Sequence, residues 1–140
     1  MLFRSDRELA VRTSFEVNVS RAYAAAETNY PVFRAAALSA RVPVPVILMQ
    51  SQAAVAHDAL DRLATITAPT LVIHGTADEM LLPVNAELIA KTIPGARLEI
   101  LDGIGHLFWW EEPERTAALL RGHAAALFGQ IGRASCRERV

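Results

Sequence analysis

The sequence predicts an α/β fold: a βαβα portion of a parallel sheet in the C-terminal half, preceded by a helical cap-like segment. Three observations predict it. A β-branched block, TLVIHG at 70–75, closes on a glycine; a second block, RLEIL at 97–101, runs into DGIGH; and helical spacing fills the stretches between and after them. Two strands joined through a helix in one sheet run parallel, with a right-handed crossover.

The elements follow in order. Over 6–26, Leu9, Phe15, Val19 and Tyr23 recur at helical spacing, and Thr28, Asn29 and Pro31 end the helix. A second short helix is expected over 32–40. RVPVPV at 41–46 reads as extended or turn, because each proline disfavours the helical region for the residue before it. Ile47, Ala54 and Val55 share one side of a third helix over 47–57. No strand-like block ends on a catalytic residue type here, so 6–62 reads as a lid. The strand at 70–75 has the apolar run of one buried on both faces. The loop TADEMLLP follows, then a helix over 84–93 with Leu88, Ile89 and Thr92 inward, stopped by Pro94-Gly95. After the second strand, Pro113 opens a last helix, on which Ala117, Leu120, Ala124 and Leu127 form an apolar stripe. The βαβα portion spans 63–130.

Composition excludes several classes. The chain has 140 residues, 52% apolar and 21% charged, with a net charge of −1, which suits one globular domain rather than disorder. No apolar run approaches the ~18 residues of a membrane span; the longest, 42–49, is broken by Pro43 and Pro45. No basic run points to nucleic acid or an anionic membrane. Cys136 is the one cysteine, so no internal disulfide and no zinc-binding thiolate cluster is expected, and a reducing, cytoplasmic setting fits. The ends, MLFRS at 1–5 and IGRASCRERV at 131–140, back-translate into codons resembling a sequencing adapter, and the tail has no apolar period. The expectation is that the authentic protein covers 6–130.

The topology has a chemical consequence. In a parallel sheet all strand C-termini share one edge, where ligand sites gather. Asp78 follows the first strand and Gly103-Ile104-Gly105-His106 the second. On neighbouring strands, about 4.8 Å apart, the two side chains meet. A carboxylate that accepts the Nδ1 proton of a histidine fixes its tautomer and leaves Nε2 as a general base. Gly103 and Gly105 let the backbone turn His106 toward that edge. Glu79 and Asp102 compete for the acid role. His74 reads as packed and hydrogen-bonded, His57 with Asp58 and Asp61 as a charged helix end, and His123 as a partly exposed surface residue. Phe108, Trp109 and Trp110 are expected to anchor the last helix, with Phe108 also a candidate pocket wall; Met80, Leu81 and Leu82 anchor their loop. There is no P-loop, G-x-G-x-x-G or H-E-x-x-H, so no cofactor, nucleotide or metal site is expected.

Over 57–128 the chain resembles the C-terminal part of an α/β-hydrolase, on HDALDRLATITAPTLVIHGTADEMLLP and IPGARLEILDGIGHLFWWEEPE. The resemblance implies that Asp78, three residues after Gly75, is the triad acid and that His106 of G-x-G-H is the triad base. It implies a small-molecule ester or lactone as substrate, as in small esterases and enol-lactonases, and a cap for the helical segment. The nucleophile of that family sits in a G-x-S-x-G elbow. Here Gly75, Gly95, Gly103, Gly105, Gly122, Gly129 and Gly132 bracket no serine, and Ser14, Ser20, Ser39 and Ser51 lie in helical or linker stretches. The expectation is therefore a portion of a serine-type hydrolase holding acid and base without nucleophile, inactive alone. The alternatives are a non-catalytic ligand-binding relative, an aspartate-nucleophile dehalogenase and a flavodoxin-like module; the last would carry a Gly-rich phosphate loop, which the sequence lacks. A two-stranded pair leaves the strand at 71–74 with an open edge, so self-association through it is also expected.

Overall fold

The computed structural model describes residues 2–39 and 42–137. Part of the extended stretch expected at 41–46 and the last residues of the 131–140 tail thus lie outside the described residues.

The first expected helix is interrupted. Helix α1 spans Leu2–Asn18 and α2 spans Arg21–Ala25. Between them the Asn18 carbonyl leaves the helical ladder and accepts the Leu107 N–H at 2.8 Å. Ser20 then caps α2, its Oγ accepting the Tyr23 N–H. Phe15, Val19 and Tyr23 keep helical spacing across the break, so the apolar pattern alone reads straight through it. Helix α3 is Asn29–Ser39. Phe15 is fully buried and touches the rings of Tyr23, Tyr30 and Phe33, with centroids 5.2 to 6.2 Å away. Phe33 meets Trp110 edge-on at 5.6 Å and so joins this cluster to the C-terminal half. Glu8 accepts from Arg34 and from the Tyr30 hydroxyl, tying α1 to α3.

Helix α4 is Val44–Ala56, starting earlier than the prolines suggest. Pro43 is its N-cap and Pro45 lies in its first turn, where an amide N–H has no helical acceptor and its absence costs nothing. Every residue from 42 to 58 is exposed. Helix α5 is the short Leu60–Leu63.

The sheet has two parallel strands, β1 (Leu71–Gly75) and β2 (Arg97–Leu101), with Leu71 opposite Arg97 and Gly75 opposite Leu101. Helix α6 (Pro83–Thr92) makes the crossover. It turns Ala86 inward, 2% exposed, with Ile93 buried just beyond it, rather than Leu88 and Ile89, while Thr92 is half-buried. A small residue allows close approach to the strands; Leu88 and Ile89 instead line an open groove with Leu60, Leu63 and Leu81. Helix α7 (Phe108–Glu111) is one turn, and α8 is Pro113–Arg137. On α8 Thr116 is buried and Leu120 is 54% exposed, so the inward stripe is rotated from the expected one while Ala117, Ala124 and Leu127 stay half-buried. The backbone of 131–137 continues this helix.

Phe15→Ala removes the centre of the aromatic cluster. It is expected to cost about 3 to 5 kcal/mol of unfolding free energy, measured by urea denaturation followed through tryptophan fluorescence. A loss under about 1 kcal/mol would show that the cluster is not a core.

Candidate active site

The C-terminal ends of β1 and β2 each release a loop, and the two loops interlock. The Thr76 N–H donates to the Leu101 carbonyl and the Ala77 N–H to the Ile104 carbonyl. Thr76 Oγ1 donates to Asp102 at 3.0 Å and accepts the Gly103 N–H at 2.7 Å. Gly103 adopts φ +73°, the left-handed turn that swings the chain back over the sheet edge. Gly75 is needed for a different reason. A Cβ there would lie 2.0 Å from the Ile104 carbonyl oxygen, so only a bare backbone lets the second loop close on the first strand.

This closure brings Asp78 and His106 together. Asp78 is 4% exposed. Its Oδ1 accepts the Met80 and Leu81 N–H groups, both at 2.9 Å, in a tight turn. Its Oδ2 accepts His106 Nδ1–H at 2.9 Å. Because an ionised carboxylate only accepts, Nδ1 carries the proton in neutral His106 and Nε2 is left as the acceptor. Among the described residues, nothing hydrogen-bonds to that Nε2, and the imidazole is about one-quarter exposed, at 27%.

Neither competitor takes this place. Glu79 points outward and pairs with Arg21 at 2.9 Å, and Asp102 is held by Thr76. His74 is closer to the site than a packing role implies. Its Nε2 lies 2.8 Å from the Leu81 carbonyl, so it bears a proton, and it lies 3.2 Å from Asp78 Oδ2. Asp78 thus stands between two imidazoles. Burial pushes its carboxyl upward, but the Leu81 N–H, the His106 hydrogen bond and the Met80 N–H outweigh burial and hold it below the ordinary value. His57 is exposed and lines the α5–α6 groove, and His123 is half-buried on α8, near the opposite ends of the strands with Thr70 and Arg97. Phe108 packs edge-on against Trp109, while Met80, Leu81 and Leu82 are exposed. Among the described residues, no group of three His, Cys, Asp or Glu side chains is arranged to hold a metal ion.

One residue near the site escapes sequence inspection. Glu111, at the end of α7, accepts the Gly105 N–H at 2.9 Å and both the N–H and hydroxyl of Ser20, at 2.8 and 2.5 Å. Its only sequence signal is a carboxylate directly after the apolar run LFWW, five positions past His106.

No family profile matches the chain. Over 71 residues it is 34% identical to monoacylglycerol lipase abhd6-A of Xenopus laevis, covering 51% of this chain and 21% of that protein. Over 64 residues it is 38% identical to the proline iminopeptidase of Saccharolobus solfataricus, covering 46% and 20%. The chain therefore spans about a fifth of the length of these curated relatives. Among solved structures, Est816, described as an N-acyl homoserine lactone degrading enzyme, aligns with a TM-score of 0.61 at 32% identity, over 86% of this chain and 48% of that one. Rv0554 from Mycobacterium tuberculosis aligns with a TM-score of 0.76 over 86% and 44%; at 21% identity this is a likeness of fold alone. Strand order, helix placement and sequence similarity agree: over its C-terminal half, the chain has the fold and the sequence likeness of a partial α/β-hydrolase.

Proposed function

We propose that the chain supplies the acid and the base of a serine-type α/β-hydrolase acting on a carboxylic ester or lactone. One observation carries the reading: His106 donates through Nδ1 to a buried carboxylate and keeps Nε2 open at the shared edge of parallel strands. His106 Nε2 accepts the proton of a serine hydroxyl as that oxygen attacks the substrate carbonyl carbon and the carbonyl π pair moves onto oxygen. When the tetrahedral intermediate collapses, the C–O bond to the leaving oxygen breaks and His106 protonates that oxygen. Water then repeats the sequence on the acyl-enzyme. Asp78 stays ionised throughout, orients the ring and stabilises the imidazolium.

The sequence holds no G-x-S-x-G, so this reading draws the serine and the oxyanion donors from protein outside these 140 residues. The relatives support acyl chemistry by their names, a lipase and a lactone-degrading enzyme. A proline iminopeptidase among them leaves the leaving group open.

Two measurements test this. The 140-residue chain alone is expected to remain unlabelled by a fluorophosphonate probe; stoichiometric labelling would overturn the placement of the nucleophile. In a protein that joins this chain to a nucleophile elbow, His106→Ala and Asp78→Asn should each lower kcat by about 10³- to 10⁴-fold. Activity surviving both substitutions would sink the reading.

The lowered Asp78 carboxyl also fixes a sign. A group whose folded value lies below its unfolded one adds stability above the unfolded value, and that stability is lost as pH falls through the folded value. The Asp78 contribution should therefore be intact at about pH 5 and disappear only below the ordinary value of 3.8. Acid unfolding of the parent and of Asp78→Asn reads this. The parent alone should show the Asp78-dependent limb, and a limb already complete above the ordinary value would contradict the assignment.

A further inference from the structure

Three features outside the Asp78–His106 pair converge on the loop that carries His106. The peptide N–H before it, on Gly105, donates to Glu111 at 2.9 Å. The peptide N–H after it, on Leu107, donates to the Asn18 carbonyl at 2.8 Å. Between these anchors Gly105 is pressed against the α1–α2 elbow, where a Cβ would stand 2.4 Å from the Ser20 nitrogen and 2.5 Å from the Val19 carbonyl carbon. Glu111 closes the arrangement, because the carboxylate that holds Gly105 also accepts both donors of Ser20. Ser20 is 3% exposed, so these bonds form largely out of water.

We propose that Glu111 is a positioning residue for His106. Its carboxylate ties the histidine loop to the α1–α2 elbow, so that the helical segment, and not Asp78 alone, fixes where Nε2 points. Asp78 restrains the imidazole at one atom, Nδ1, and the ring can still swing if its backbone slides. Anchors on residues 105 and 107 remove that slide. Hydrogen bonds to a charged acceptor are about twice as strong as neutral ones, and Glu111 gathers three of them at the point where the two halves touch. Arg21 to Glu79 adds a second link from α2 to the Asp78 loop, but both side chains are well exposed and the pair is weak.

The role given to Nε2 rests on the hydrolase reading; the anchoring does not, and the test separates them. The full chain is prepared as Glu111→Ala, Glu111→Gln and Ser20→Ala, with labelled histidine and backbone nitrogen, and followed by NMR. Glu111→Ala should speed amide exchange at Gly105 and Leu107 by about tenfold or more, and should broaden or remove the His106 Nδ1–H signal. Exchange along β1 and β2 should be unchanged. Glu111→Gln should restore most of both readouts, since its carbonyl still accepts the two peptide N–H groups and its amide donates to the Ser20 hydroxyl. Ser20→Ala, which leaves the Gly105 bond in place, should give a smaller acceleration and keeps the test open should Glu111→Ala fail to fold. Unchanged exchange and an unchanged Nδ1–H signal in the variants would overturn the proposal. So would an equal loss of protection across both strands, which would make Glu111 a stability residue only. These readouts need no turnover, so a failure of the hydrolase reading leaves them intact. In an active protein joined to an elbow, Glu111→Ala should lower kcat with KM little changed.

Discussion

A buried carboxylate is the constraint on which the rest of this structure depends. Removing an ionised carboxyl group from water costs several kcal/mol unless donors replace the water. Asp78 replaces it with two peptide N–H groups from its own turn and two imidazoles. The turn at 78–81 is therefore not free to rearrange, and neither is the loop that presents His106. The charge sets the conformation of both loops, and the loops in turn set the direction of the imidazole.

The N-terminal helices belong to the same constraint. They share few backbone bonds with the sheet half, and apart from the exposed Arg21–Glu79 pair the contacts described fall on the stretch around residues 105–111. The aromatic cluster around Phe15 reaches Trp110 through Phe33, and the α1–α2 elbow meets residues 105, 107 and 111. Apolar packing supplies the bulk of the attachment. The polar bonds at Asn18 and Ser20 supply its register, since packing alone tolerates sliding and a short hydrogen bond does not.

Much of the sheet half was legible in the sequence because its signals are local. The second strand falls at 97–101, on the RLEIL block before DGIGH, and Pro113 opens the last helix. Asp78 and His106 were recognisable because strand ends in a parallel pair must lie side by side. The helical half was legible in kind and not in detail. The break at residues 19 and 20 is made by a carbonyl committed to Leu107, which lies far along the chain and leaves no trace in the periodicity. The inward face of α6 departs from the expected one because the helix packs by Ala86, the small residue that lets it approach the strands, and not by Leu88 and Ile89. Helix α4 starts earlier than the prolines suggest because Pro43 serves as its N-cap and Pro45 fits its first turn. Glu111 was invisible because its partners are two peptide groups and a serine from distant segments, and no residue type advertises a backbone contact. The sequence similarity reaches about half the chain, and in that half the local signals are also strongest.

At the crossing of the two loops, main chain lies directly on main chain: the carbonyl of Ile104 occupies the space a side chain would need at position 75. Contacts of that kind contain no side chain that substitution can shrink or recharge, and any enlargement at position 75 collides with main chain. Room for side-chain change lies elsewhere, in the exposed stretch 79–82 and on the outward surface of the helical half. Side chains there can change while the Asp78–His106 pair keeps its spacing, which is set by main-chain geometry rather than by a choice of amino acids.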